Sequence, residues 1–248
     1  MPEEVCVLGD SVILGVVYDE DRGRYSVLRD GAVTSLTRGL GMRVHNLARM
    51  GQTSVEARAR LEDAIREGLK ADSLLIELGG NDCDFNWAEV GADPDSDHSP
   101  RIPVPVFKDA MADIVRMAAS SGGRVKNMGA IPFEAAIFFT LPPLAPDKFF
   151  DWVTKDGISK ENVMRFLGDL SRIYRWQELY SLAVMKLASE IGAPLIDIRE
   201  RFLMQKNYED AICLDGIHPN AGGHTLMKKT ISDFFGIRSA RLGLPALA

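Results

Sequence analysis

The stretch VLGDSVIL, residues 7–14, decides the fold class. Val5 to Leu8 is a short apolar run with β-branched residues and no helical period, the pattern of a buried strand. Gly9, Asp10 and Ser11 then break it, so a small hydroxyl stands at the strand's end. In open α/β sheets ligands bind outside the carboxyl ends of the strands. A serine at that edge is either a helix cap or a nucleophile, and the flanking sequence has to choose between them.

Outward from this point the chain alternates strand and helix signals. Strands are expected at Val5–Leu8, Met42–Leu47, Ser73–Leu78, Ala136–Thr140 and Pro194–Ile198. Thr53 with Glu56 forms a capping box, and Ala57, Leu61, Ile65 and Leu69 follow it at helical spacing. A second helix carries Leu179, Leu182, Ala183, Leu187 and Ile191 and stops at Gly192, with Pro194 just beyond. A last helix shows Met227, Ile231, Phe234 and Phe235 and is expected to end at Gly236. Alternation of this kind predicts βαβ units and a parallel sheet covered on both faces. No repeat, low-complexity tract or linker divides residues 1–248, so one domain is expected.

Two segments depart from the alternation, near 83–105 and 141–168, each following the end of a predicted strand. Long segments at such places are often lids or binding loops. Their rings Phe85, Trp87, Phe149 and Trp152 are candidates for a substrate pocket, with packing of the insertions as the alternative role.

Composition bounds the function. A chain of 248 residues with 46% hydrophobic content can bury one substantial core, and its net charge of -6 argues against nucleic acid as partner. No apolar run approaches the roughly 18 residues of a membrane span. The acidic start MPEEVCVLGDS is unlike a signal peptide, and Cys6, Cys83 and Cys213 form no CxxC pair, so a cytoplasmic setting is expected. Asp93, Asp95 and Asp97 mimic the opening of a calcium loop, but His98 and Val104 occupy the places of its glycine and glutamate. Neither a metal nor a cofactor is expected.

The remaining polar signals cluster at predicted strand ends. The third strand runs into Gly79-Gly80-Asn81-Asp82, where an asparagine amide can serve as a donor at the sheet edge. Gly51 lies in the turn NLARMGQTS, and Asp215 and His218 lie three apart in LDGIHPN. These are the parts acyl transfer needs. A serine hydroxyl requires an adjacent base, an imidazole can be that base, and a carboxylate fixes its tautomer. Preorganised donors must meet the developing oxyanion. Ser11, His218, Asp215, Gly51 and Asn81 can fill these roles. Among the other histidines, His45 is expected in a buried strand and His98 in a solvated insertion. His224 has no carboxylate at matching spacing. Asp10 and Asp82 are expected to make turn and loop hydrogen bonds.

GDS, Gly51 in NLARMGQTS, GGND and DGIHPN resemble, in order, the four blocks of the SGNH hydrolases, also called GDSL-type esterases and lipases. ELGGND and DGIHPN are especially similar to the bacterial branch that includes thioesterases and lysophospholipases. The resemblance implies a three-layer, flavodoxin-like fold with five parallel strands and a metal-free Ser-Asp-His set. On it, Ser11 is the nucleophile, His218 the base and Asp215 its orienting acid. The oxyanion hole would be the backbone N–H groups of Ser11 and Gly51 with the Asn81 amide. The expected activity is hydrolysis of short-chain acyl or O-acetyl esters. The alternatives are a carbohydrate O-deacetylase, a lysophospholipase or thioesterase, and a ligand-binding protein on the same fold.

Overall fold

The computed structural model describes residues 4–120 and 136–241. In chain order the elements begin with β1 (Glu4–Gly9), α1 (Ser11–Leu14), β2 (Val16–Asp19), β3 (Arg24–Val27), α2 (Ala32–Arg38) and β4 (Arg43–Asn46). There follow α3 (Ser54–Arg66), β5 (Ser73–Glu77), α4 (Trp87–Ala92), α5 (Val104–Ser120), β6 (Ala136–Phe139) and α6 (Pro146–Thr154). The chain closes with α7 (Lys160–Leu167), α8 (Ser171–Ile191), β7 (Leu195–Ile196), α9 (Ile198–Leu203) and α10 (Ala221–Arg241).

The central sheet has five parallel strands in the order β4-β1-β5-β6-β7. The chain leaves β1 for β4 on one side and returns to β5 on the other, so the strand order reverses at β1. In doubly wound sheets the crevice beyond such a reversal is where ligands bind. Alternate residues supply the two faces. Leu8, Ile76 and Phe138 pack with Phe107, Met111 and Tyr180 beneath α3, α5 and α8. Val7, Leu75 and Phe139 pack with Leu36, Phe202 and Ile231 beneath α2, α9 and α10. Both faces are buried beneath helices, which is why these strands read as continuous apolar runs rather than alternating ones.

Several expectations need correction. β2 and β3 form an antiparallel hairpin, pairing Val16 with Val27 and Tyr18 with Tyr25, where the sequence suggested no strand. The buried stripe of α8 runs through Ile173, Tyr180, Val184 and Ala188, leaving Leu179 and Leu182 exposed. α10 continues through Gly236 to Arg241, because that glycine does not take the left-handed conformation that ends a helix. His45 lies on the edge strand β4 and is partly exposed, its Nε2 3.2 Å from Glu4 Oε2, rather than in the core.

The two insertions fold onto one another. α4 and the start of α5 come from the first, and α6 and α7 from the second. Phe85, Trp87, Val90, Leu144, Phe149 and Val163 form a third apolar cluster at the carboxyl edge of the sheet. The Asn162 amide donates to the Gly91 carbonyl at 2.7 Å and ties α7 to α4.

Candidate active site

Gly9 ends β1 where a side chain would not fit: a Cβ there would lie 2.4 Å from Ile13 and 2.7 Å from the Glu77 carbonyl oxygen. The chain can therefore turn sharply against β5. Asp10 caps the short helix α1, its Oδ1 accepting from the Val12 N–H at 2.8 Å, and Ser11 becomes the first helical residue. The Ser11 hydroxyl is 2.8 Å from His218 Nε2, and His218 Nδ1 is 2.6 Å from Asp215 Oδ2. All three residues are buried. Ser11 and His218, 207 positions apart, thus meet at the mouth of the crevice.

The loop that delivers Asp215 and His218 is held tightly. Asp215 Oδ1 accepts from the backbone N–H groups of Ile217 and His218, each at 3.1 Å. Burial pushes the Asp215 carboxyl up, but the His218 hydrogen bond and charge and these two N–H groups outweigh it, so its pKa falls below the ordinary value. Gly216, at φ +79°, packs onto the start of α6, and a Cβ there would lie 2.3 Å from the Phe149 nitrogen. The Cys213 N–H donates to the His218 carbonyl at 2.8 Å and closes the turn. Cys83 and Cys213 are buried thiols, Cys213 pushed up to about 11 by desolvation.

Of the expected oxyanion donors, Ser11 and Asn81 line the cavity beside His218. One amide N–H of Asn81 is donated to Asp10 Oδ2 at 2.9 Å, which leaves the other free of that bond. Gly51, at φ +76°, is not part of the cavity wall. Its loop is nevertheless fastened close to Ser11, since the Arg49 N–H and the Gln52 amide both donate to the Gly9 carbonyl, at 3.1 and 2.8 Å. Asp82 accepts from the backbone N–H and the hydroxyl of Ser54, which joins the loop after β5 to α3.

The cavity encloses about 820 Å³, counting its open mouth. Its walls are mainly apolar, with Phe85, Trp87, Phe149, Leu144, Phe166 and Trp176 prominent. Three of the four rings singled out from the sequence are among them. Trp152 is not; it packs edge-on against Tyr18 at 4.6 Å and lies under the Lys155 ammonium, so it fastens α6 to the hairpin. The sequence reading did not select Phe166 or Trp176, which continue the aromatic pattern of the second insertion and of α8. Nor did it select Tyr25, whose ring stands edge-on to His218 at 5.2 Å and whose hydroxyl faces Asp215. That placement depends on the hairpin, and no local motif announces it.

A strand-end serine, an imidazole and a carboxylate in line on a doubly wound parallel sheet form an arrangement that can carry out acyl transfer. The family model for GDSL-like lipases and acylhydrolases matches residues 7–226, and the chain belongs to that family of ester hydrolases. Its fold is that of solved members. A lipase/acylhydrolase from Enterococcus faecalis superposes with a TM-score of 0.60 at 16% identity, covering 98% of both chains. A carbohydrate acetylesterase from Sinorhizobium meliloti gives 0.59 at 19% identity over 95% of this chain and 99% of the other. An aryl esterase from M. smegmatis gives 0.56 at 18% identity over 96% and 99%. No curated protein matches the sequence. No helix among the described residues is long and apolar enough to cross a membrane.

Proposed function

We propose that the chain, acting as one unit, is a cytoplasmic serine esterase whose acyl-enzyme forms on Ser11. The observation that carries this reading is the unbroken line from Ser11 through His218 to Asp215, at 2.8 and 2.6 Å. Ser11 Oγ attacks the ester carbonyl while His218 Nε2 takes its proton, and Asp215 stabilises the imidazolium that results. Negative charge on the carbonyl oxygen is met by the Ser11 N–H and by the Asn81 N–H not given to Asp10, with the Gly51 N–H, on the loop beside the cavity rather than in its wall, as the third donor of this reading. His218 then protonates the departing alcohol. In the second half it deprotonates a water that attacks the acyl group, and Ser11 is released.

The apolar cavity supports an acid component of hydrocarbon character, a short or medium acyl chain or an aryl group. The polar side chains of the wall away from Ser11, Asp84, Arg172 and Gln177, are already bonded to Trp87, Phe166 and Pro142, which favours an acyl chain over a sugar ring. The alcohol then lies toward the mouth, so either an acyl alkyl ester or an acylated carbohydrate bound through its acyl group fits this reading.

The test is a nitrophenyl ester series from acetyl upward, with wild type, Ser11→Ala and Asn81→Ala. Wild type is expected to prefer a chain longer than acetyl. Ser11→Ala should be inactive yet folded, and Asn81→Ala should lose about a hundredfold in kcat. Unchanged turnover in Ser11→Ala would sink the mechanism, and a sharp optimum at acetyl would remove the acyl-pocket assignment.

A further inference from the structure

Two buried carboxyl groups stand directly behind the nucleophile, and the steps above use neither. Glu77 ends β5 and lies in register with Gly9 at the end of β1. It is 1% exposed, and among the described residues no N–H or O–H donor bonds either side-chain oxygen, which leaves the Asp10 carboxyl as its side-chain neighbour. The polar groups around it are the Asp10 carboxyl and the backbone N–H groups of Asp10 and Ile13. Asp10 is as deeply enclosed but is well supplied, with Val12 N–H on Oδ1 and the Asn81 amide on Oδ2.

An ionised carboxylate only accepts, so two of them cannot bond each other, and a second uncompensated charge in this place is strongly unfavourable. A single proton resolves the conflict. The donors favour one site for it: burial raises both carboxyls, but Asp10 accepts two hydrogen bonds, whereas the backbone N–H groups near Glu77 make no hydrogen bond of good geometry to it, so the proton belongs on Glu77. Burial, and then the charge of Asp10, push the Glu77 carboxyl well above its ordinary value. The other ionisable groups facing the pair are His218, Asp82 and Cys83. Among the described residues no lysine or arginine forms an ion pair with either carboxyl.

We propose that Glu77 is a positioning residue for the oxyanion amide: it donates its carboxyl proton to Asp10, and Asp10 in turn holds Asn81. With one amide N–H anchored on Asp10, the other is aimed at the carbonyl oxygen of the substrate. The shared proton also leaves one negative charge, rather than two, near the oxyanion. The proton stays within the pair through the cycle. The effect on turnover rests on the serine-esterase reading, whereas the location of the proton does not.

Infrared difference spectroscopy on the full chain reads that proton directly. Wild type is expected to keep a protonated-carboxyl C=O band at pH values well above the ordinary glutamate pKa of about 4.3. Glu77→Gln should remove it. A wild-type spectrum without the band, or a band untouched by Glu77→Gln, overturns the proposal whether or not any ester is hydrolysed. The kinetic arm compares Glu77→Gln, which keeps a neutral donor, with Glu77→Leu, which does not. Glu77→Leu is expected to lose on the order of tenfold in kcat at unchanged KM. Glu77→Gln should recover most of that loss. Equal losses in both variants, or a change confined to KM, contradict the positioning role. If Glu77→Leu does not fold, the infrared comparison decides alone, since it needs only wild type and Glu77→Gln.

Discussion

Ser11 owes its position to its neighbours: Gly9 lets the chain turn against β5, and Asp10 caps the helix that Ser11 begins. The residues of the line were legible because each sits in a short local signal. A serine follows a strand, and a histidine stands three positions after an aspartate in a segment that proline keeps out of a helix. His224 shows what such signals omit. It lies only six residues from His218, but it is buried and held neutral, pushed down to about 4 from 6.5 chiefly by desolvation. Between those values the unfolded chain binds a proton that the folded one refuses. The stabilisation present above pH 6.5 is therefore lost as pH falls toward 4. The full effect is about 3 kcal/mol. Thermal unfolding of wild type should fall more steeply between about pH 7 and pH 4.5 than that of His224→Gln, which has nothing to titrate. Parallel curves would show that another group governs acid stability. The Asp10–Glu77 pair was also hidden in the sequence, because Glu77 reads as one polar residue at a strand end and only the register of β1 with β5 brings the two together.

At the scale of elements, the helix-end signals at Thr53 and Gly192 agree with the structure, whereas the readings of a short hairpin and of the buried face of one helix do not. The capping box at Thr53 and the left-handed cap at Gly192 are where the sequence puts them, since each satisfies backbone groups that would otherwise be orphaned. The hairpin of β2 and β3 went unseen because four-residue strands around a charged turn carry too little periodicity. The buried face of α8 was misjudged because apolar residues occur on more than one side of that helix, and only the sheet beneath selects among them. The hairpin has consequences for the site. It presses Tyr25 against His218, and Trp152 holds the hairpin to α6. Tyr25→Ala is expected to lower kcat roughly fivefold by loosening the imidazole, in keeping with the worth of one aromatic contact. A rise in KM with kcat unchanged would instead place the hairpin in contact with substrate.

For the whole molecule, the order of the sheet does what no single motif can. Reversal at β1 brings the end of β1, the loop after β4, the end of β5 and the loop before α10 to one edge. The two insertions then roof that edge with aromatic side chains. The sequence located the edge and the insertions, but it could not show which rings face the cavity, because that depends on how α4, α6 and α7 pack together. The central claim is that Ser11 is the nucleophile, and a covalent probe tests it most directly. Wild type and Ser11→Ala would each be treated with a reactive organophosphonate, digested and mapped by mass spectrometry. The account predicts one stoichiometric adduct, on the peptide carrying Ser11, formed as esterase activity disappears and absent from the variant. An adduct elsewhere, or full inactivation without modification of Ser11, would contradict it.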